Sequence, residues 1–219
     1  MFSSAKRVAD TQVRGDFFAV KAFDPDRKVF LIDGAVGFGF LMPPVPGAGE
    51  MLREKLLVAL NLPIPAGALL SFARYASPDI QPYILGYQDR RRAQRDPELQ
   101  HCARRRVAFL KSGANPSGKT PPARTSQILL TVSIPLDSRS MDQQFDAAAE
   151  LALAMEQALA SSQVHVRRLD ARHYIRFMSV LLNHGENAVW RGDLEPGYDD
   201  ELPIADQILD ANTHIDLSS

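Results

Sequence analysis

Period-two alternation of apolar and small residues marks the first third of the chain. Residues 17–23 read as extended, Asp24-Pro25-Asp26 as a turn, and Lys28 to Ile32 as a run of strand formers. Asp33-Gly34 is a hairpin signal. It leads into 35–42, where Val36, Phe38, Phe40 and Met42 alternate with Gly37 and Gly39. Such a strand has one greasy face and one bare face. The glycines precede Pro43-Pro44 rather than a helix and do not spell G-x-G-x-x-G. They therefore read as a close backbone approach or a bulge, not as a dinucleotide site.

The period then changes to that of a helix. Met51, Leu52, Leu56 and Ala59 share one side over 49–60, and Pro63 and Pro65 end the segment. A strand is expected over 68–76, with Leu70 and Phe72 alternating with Ser71 and Ala73. Ser77-Pro78-Asp79 supplies a cap, a first-turn proline and an acid for a long helical stretch. That stretch is interrupted near Asp96-Pro97 and runs to Lys111. A β-prone strand follows over 127–134, then a helix over 142–160 with Phe145, Ala148, Ala152, Met155 and Leu159 at core spacing. Residues 164–169 read as extended. Asp170 caps a last helix over 171–182, with Tyr174, Phe177, Met178 and Leu181 expected to face inward. Beyond Asn183 the pattern dissolves into glycine, proline and acids.

From Ala35 the order is strand, helix, strand, then strand, helix, strand. This is the ferredoxin-like split βαβ pattern of an α+β fold, preceded by a β-hairpin and carrying an inserted arginine-rich helical segment at about 78–112. The expected architecture is a predominantly antiparallel sheet with helices 49–60 and 142–160 on one face. Residues 1–20 form a polar N-terminal segment, 21–183 the domain, and 184–219 an acidic tail that wraps the domain or leads to a part the chain lacks.

Composition narrows the class. A chain of 219 residues with 45% hydrophobic content can bury a sizeable core. Its apolar runs, such as 29–32 and 128–132, fall far short of the ~20 residues a membrane helix needs. Met1-Phe-Ser-Ser-Ala-Lys-Arg7 lacks an apolar stretch after its charges, so no signal peptide is expected. The single cysteine, Cys102, excludes an internal disulfide and fits a reducing, cytoplasmic setting.

The net charge of −1 hides an asymmetry. Between Gln88 and Arg124 ten basic residues stand against three acids, +7, whereas Gly185 to Ser219 holds nine acids and only Arg191, −8. Arg90, Arg91, Arg92, Arg95, Arg104, Arg105 and Arg106 are therefore candidates for a partner or polyanion. Tyr83 and Tyr87, one helical turn apart nearby, could add stacking to a nucleic-acid surface. No strand carries the aromatic signature of an RNA-recognition sheet. A docking face for an acidic partner or salt-bridged helices is the preferred reading, and nucleic acid the alternative.

Residues Gly113 to Thr120, G-A-N-P-S-G-K-T, match the phosphate-loop motif, with Gly113, Gly118, Lys119 and Thr120 as its nucleotide-binding letters. A working loop leaves a strand and enters a helix whose free N–H groups hold the phosphates. Here the residues before it read as helix, and Pro121-Pro122 after it remove a donor and disfavour helical angles. The match reads as a decoy, and nucleotide hydrolysis stays as a second alternative. His101, His165, His173, His184 and His214 show no metal-ligand spacing, and no G-x-S-x-G elbow occurs. Asp199-Asp200-Glu201 reads as solvated charge. No catalytic residue, metal or cofactor is assigned.

Four stretches together resemble a known family. They are Ala22-Phe-Asp-Pro-Asp-Arg-Lys-Val-Phe-Leu-Ile-Asp-Gly-Ala-Val-Gly-Phe-Gly-Phe40, Pro65-Ala-Gly-Ala-Leu-Leu-Ser-Phe-Ala-Arg-Tyr-Ala-Ser-Pro-Asp-Ile80, Arg104-Arg-Arg-Val-Ala-Phe-Leu110 and Tyr198-Asp-Asp-Glu-Leu-Pro-Ile204. In order and combination they resemble the N-terminal domain of TraC-like ATPases of type IV secretion, which assemble conjugative pili. The resemblance implies a non-catalytic docking and self-association module, cytoplasmic and peripheral to the bacterial inner membrane. It implies inner-membrane components of the secretion system and the protein's own C-terminal ATPase domain as partners, with nucleotide chemistry in that separate domain. DNA is the weaker partner on this reading.

Overall fold

The computed structural model describes residues 18–44, 50, 53–54, 57, 60–92, 96–112, 123–162, 164–185, 187–191, 197–211 and 213. β1 (Val20–Asp24) and β2 (Val29–Ile32) form an antiparallel hairpin. Asp24 closes it by accepting the backbone N–H groups of Asp26 and Arg27, both at 3.0 Å. Gly34, at φ 66°, turns the chain from β2 into β3 (Ala35–Met42).

β3 is the axis of a six-stranded sheet. Along one side it pairs with β5 (Thr125–Pro135) for its whole length, from Ala35↔Pro135 to Met42↔Ile128. Its other side is shared between β2 at Ala35 to Gly37 and the two-residue β6 (Arg167–Arg168) at Phe40 and Leu41. β4 (Leu69–Ser77) pairs, among the described residues, with β5 alone and ends the order β1-β2-β3-β5-β4. All of these pairings are antiparallel. The α+β class and the preceding hairpin are thus present. The extended stretch expected over 164–169 contracts to the two residues of β6.

Four helices accompany the strands: α1 (Gln81–Arg92), α2 (Pro97–Ser112), α3 (Met141–Ser161) and α4 (Ala171–Leu182). The helix expected over 49–60 lies largely outside the described residues; 50, 53, 54, 57 and 60 are helical. α3 starts at a capping box, in which the Ser140 hydroxyl accepts the Gln143 amide and the Gln143 side chain accepts the Ser140 amide. Asp170 caps α4 by accepting the His173 amide at 2.8 Å.

Alternation sorts the core into two layers. Val29, Val36, Phe38, Phe40, Met42, Leu130, Val132 and Ile134 meet Ala148, Ala152, Met155 and Leu159 of α3 on one face. The bare side of β3 faces a second core built from Phe18, Phe30, Leu169, Ala171, Ile175, Ile204, Ala205 and Ile208. The helix expected over 142–160 lies on the first face, and α4 and the turn at Ile204–Gln207 cover the other. On α4 the buried positions are Ala171, Ile175, Ser179 and Val180, while Leu181 is exposed. Tyr174, expected inward, leans on Phe30 with ring centroids 5.6 Å apart, and burial pushes its phenol up to about 12. Among the described residues, no helix is long and apolar enough to cross a membrane.

Candidate functional site

The arginine-rich helices α1 and α2 contact each other, and Ile84 of α1 and Ala103 and Val107 of α2 are buried. Their root is fixed at the end of β4. Ser77 Oγ accepts the Asp79 amide at 3.1 Å and Asp79 accepts the Gln81 amide at 3.3 Å, so the cap expected at Ser77 is passed along and the helix opens at Gln81. Asp79 then meets Arg176 of α4 at 2.6 Å, with side-chain exposures of 9% and 17%. Arg176 also donates to the Trp190 carbonyl, and Trp190 Nε1 donates to the Asn183 carbonyl at 2.7 Å. A chain of buried polar contacts thus ties the lobe to the second core.

From this root the lobe presents its charge outward. Arg90, Arg91, Arg104, Arg105 and Arg106 are all exposed. Among the described residues, no ion pair involves any of these five. Arg91 lies over the Tyr87 ring with 3.8 Å from guanidinium carbon to centroid, and Arg90 Nε donates to the Gly86 carbonyl. Tyr83, one turn before Tyr87, is 64% exposed. Arg95 and the Arg92 side chain lie outside the described residues. β4, whose far end leads into the lobe, is an edge strand among the described residues, and its Leu69 and Phe72 are 64% and 58% exposed. Leu70 of the same strand is partly buried against the α3 layer, whereas Phe72 is exposed.

Gly113, Gly118, Lys119 and Thr120 lie outside the described residues. Their flanks are described: α2 runs to Ser112 before them, and β5 begins at Thr125 after them. Helix before and strand after is the reverse of the strand, loop and helix order that aims amides at a phosphate.

A second charged site has no counterpart in the sequence reading. The turn residues Asp26 to Lys28, one side of α3 at Ala149, Leu153 and Glu156, and the segment from Val166 to His173 enclose a groove of about 550 Å³. Arg27 is held there by Asp146 at 2.7 Å, Asp24 at 3.0 Å and Asp142 at 3.7 Å. The hydrogen bond to Asp146, then that to Asp24, raises its pKa further. The Arg27 amide and side chain in turn hold Asp24 below the usual carboxylate range. Arg168 donates through Nη2 to the carbonyls of Lys28 at 2.9 Å and Arg27 at 3.4 Å. Its Nε is buried without a partner, its guanidinium stands 5.5 Å from the Phe38 and Phe40 ring centres, and burial pulls its pKa down against the pull of Glu156. Arg167 lies 2.8 Å from His173 Nε2, whose Nδ1 lies 2.6 Å from Asp170. Because arginine only donates, Nε2 accepts and Nδ1 carries the proton. The only linear trace of this site is the Arg167-Arg168 pair, since its partners come from positions some 140 residues away.

Among the described residues, no three of His, Cys, Asp and Glu gather as metal ligands. The chain matches the family described as TraC protein over residues 15–219. No curated protein matches it, and no solved structure does.

Proposed function

The chain belongs to the TraC family, which gives it a role related to type IV secretion and conjugation, and from that premise we propose that it is a non-catalytic assembly domain of a conjugation ATPase. Its docking surface is the basic lobe of α1 and α2 with the adjoining free edge of β4. The observation that carries this reading is the set of five exposed arginines on helices rooted by a buried ion pair, beside an edge strand with exposed Leu69 and Phe72. Charge on a rigid support steers a partner of opposite sign, and exposed apolar residues beside it give that partner something to bury. We further read the antiparallel succession β6, β3, β5, β4 as a split βαβ unit, to which the hairpin and the second layer are additions. The partners on this reading are inner-membrane components of the secretion system, sister subunits and the motor domain, with the protein peripheral to the membrane's cytoplasmic face.

The test is co-purification of the chain with detergent-solubilised inner-membrane components of its own secretion system. The wild type is expected to retain a component that R104E/R105E/R106E loses while keeping its melting temperature. Magnesium-dependent binding of a labelled ATP analogue at micromolar concentration, abolished by Lys119→Ala, would instead establish the phosphate loop as functional. Nucleic acid is a second reading, favoured by Tyr83, Tyr87 and Arg91 at one-turn spacing on α1. Steeply salt-dependent DNA affinity lost in the same triple variant would move the conclusion there.

A further inference from the structure

Arg168 is a half-buried cation that, among the described residues, makes no close ion pair; Glu156 acts on it only through space. Its contacts are two backbone carbonyls, and its Nε–H is, among the described residues, the buried side-chain polar atom left without a partner. Buried polar groups are nearly always satisfied, and this orphan belongs to a residue whose side chain lines an open groove.

The surrounding charges show which acceptor suits Arg168. Arg27 is already met by three aspartates, and Asp170 by the amide and ring of His173. Lys28, Arg167 and Arg168 therefore stand as a cationic wall, with Asp26 and Glu156 the acids that remain on the groove's lining. Facing them, Ala149, Leu153 and Val166 make an apolar wall, with Leu153 54% exposed. The geometry points to this groove as a binding site for a phosphate group on a partly apolar ligand, held by Lys28, Arg167 and Arg168. Guanidinium forks suit phosphate oxygens, and a doubly charged oxyanion gains more from three cations than a single carboxylate does. A volume of about 550 Å³ admits the organic part of such a ligand as well. The phosphate can come from a soluble ester or from a lipid headgroup.

The experiment titrates the full chain, observed by amide NMR, with glycerol 3-phosphate, with vesicles of phosphatidylglycerol in phosphatidylcholine, and with acetate. Saturable binding of the phosphate ester is expected, about tenfold weaker in Arg168→Gln and severalfold weaker in Arg167→Gln and Lys28→Gln, whereas Arg104→Gln leaves it unchanged. Arg167 and Lys28 are exposed, so those two variants carry the test should Arg168→Gln fail to fold. Binding to vesicles but not to the soluble ester, with the same ranking of variants, assigns the headgroup as the source. The site is overturned if neither probe binds at about 10 mM phosphate, if acetate binds as well as the ester, or if the variants bind like the wild type. Any of these results leaves the docking role of the basic lobe untouched.

Discussion

Arg176 and Asp79 meet across 97 positions of sequence, and each owes its tolerance of burial to the other. Such a pair adds little to stability beyond what apolar residues of the same volume would give, but losing one member strands a buried charge. Asp79→Ala is expected to cost about 3 kcal/mol in urea unfolding, and the double variant D79A/R176M to recover part of that loss. If the single exchange is silent, the pair does not fix the lobe's root. Ser77-Pro78-Asp79 announced a helix start, and the helix begins two residues past Asp79 because that aspartate serves both as cap and as ion-pair partner. Capping is local and readable; the partner from α4 is not. Asp170, whose role is confined to its own helix, was legible for the same reason. The Arg168 site was not, because its neighbours come from the β1–β2 turn, α3 and the start of α4, which are far apart in the chain.

At the scale of elements, β3 explains why the sheet has two covered faces. A Cβ on Gly37 would lie 2.7 Å from the Val132 carbonyl oxygen, a backbone atom held by the β3 and β5 ladder. A Cβ on Gly39 would meet the Leu169 side chain at 3.0 Å and the Leu130 carbonyl at 3.2 Å. Gly37→Ala is therefore expected to cost about 1–3 kcal/mol by thermal unfolding, as overpacking against rigid neighbours does, and Gly39→Ala less, because Leu169 can shift. Equal melting temperatures for Gly37→Ala and the wild type would rule out the close approach. The alternation of greasy and bare positions was plain in the sequence, and so was the stripe on α3, whose Ala148, Ala152, Met155 and Leu159 are all buried. α4 was read with its inward stripe displaced. A helix laid close over a bare face buries Ala171 and Ser179 and leaves larger residues at its flanks, so choosing the bulkiest periodic set moved the stripe toward Leu181. The Ser140 and Gln143 capping box was also visible as S-x-x-Q and went unread.

At the scale of the whole molecule, Ala188 and Trp190 of the C-terminal segment pack with Tyr75 of β4, so that segment reaches both margins of the sheet. From β1 to β4 five strands span roughly 19 Å at the usual spacing, with the basic lobe following β4 and the acidic segment beside β1, where Tyr198 meets Phe23. Composition marks 184–219 as an acidic tail and conceals its apolar content. Ile204 and Ile208 stand among acids in the sequence, yet they are fully buried against Phe18, Phe30 and Ile175. Asn183 locks the segment in place by donating to the Ile208 carbonyl at 2.8 Å and accepting the Asp210 amide at 3.2 Å. Ile208→Ala opens a cavity beneath α4 and is expected to cost about 2–4 kcal/mol. Ending the chain at residue 196 removes Ile204, Ala205 and Ile208 together and is expected to abolish cooperative unfolding of the second core while leaving the β3, β5 and α3 layer more protected in hydrogen exchange. A truncated chain that melts as sharply and as high as the full one would mean that the segment lies on the domain without supporting it, and that the sheet's second face is closed by α4 alone.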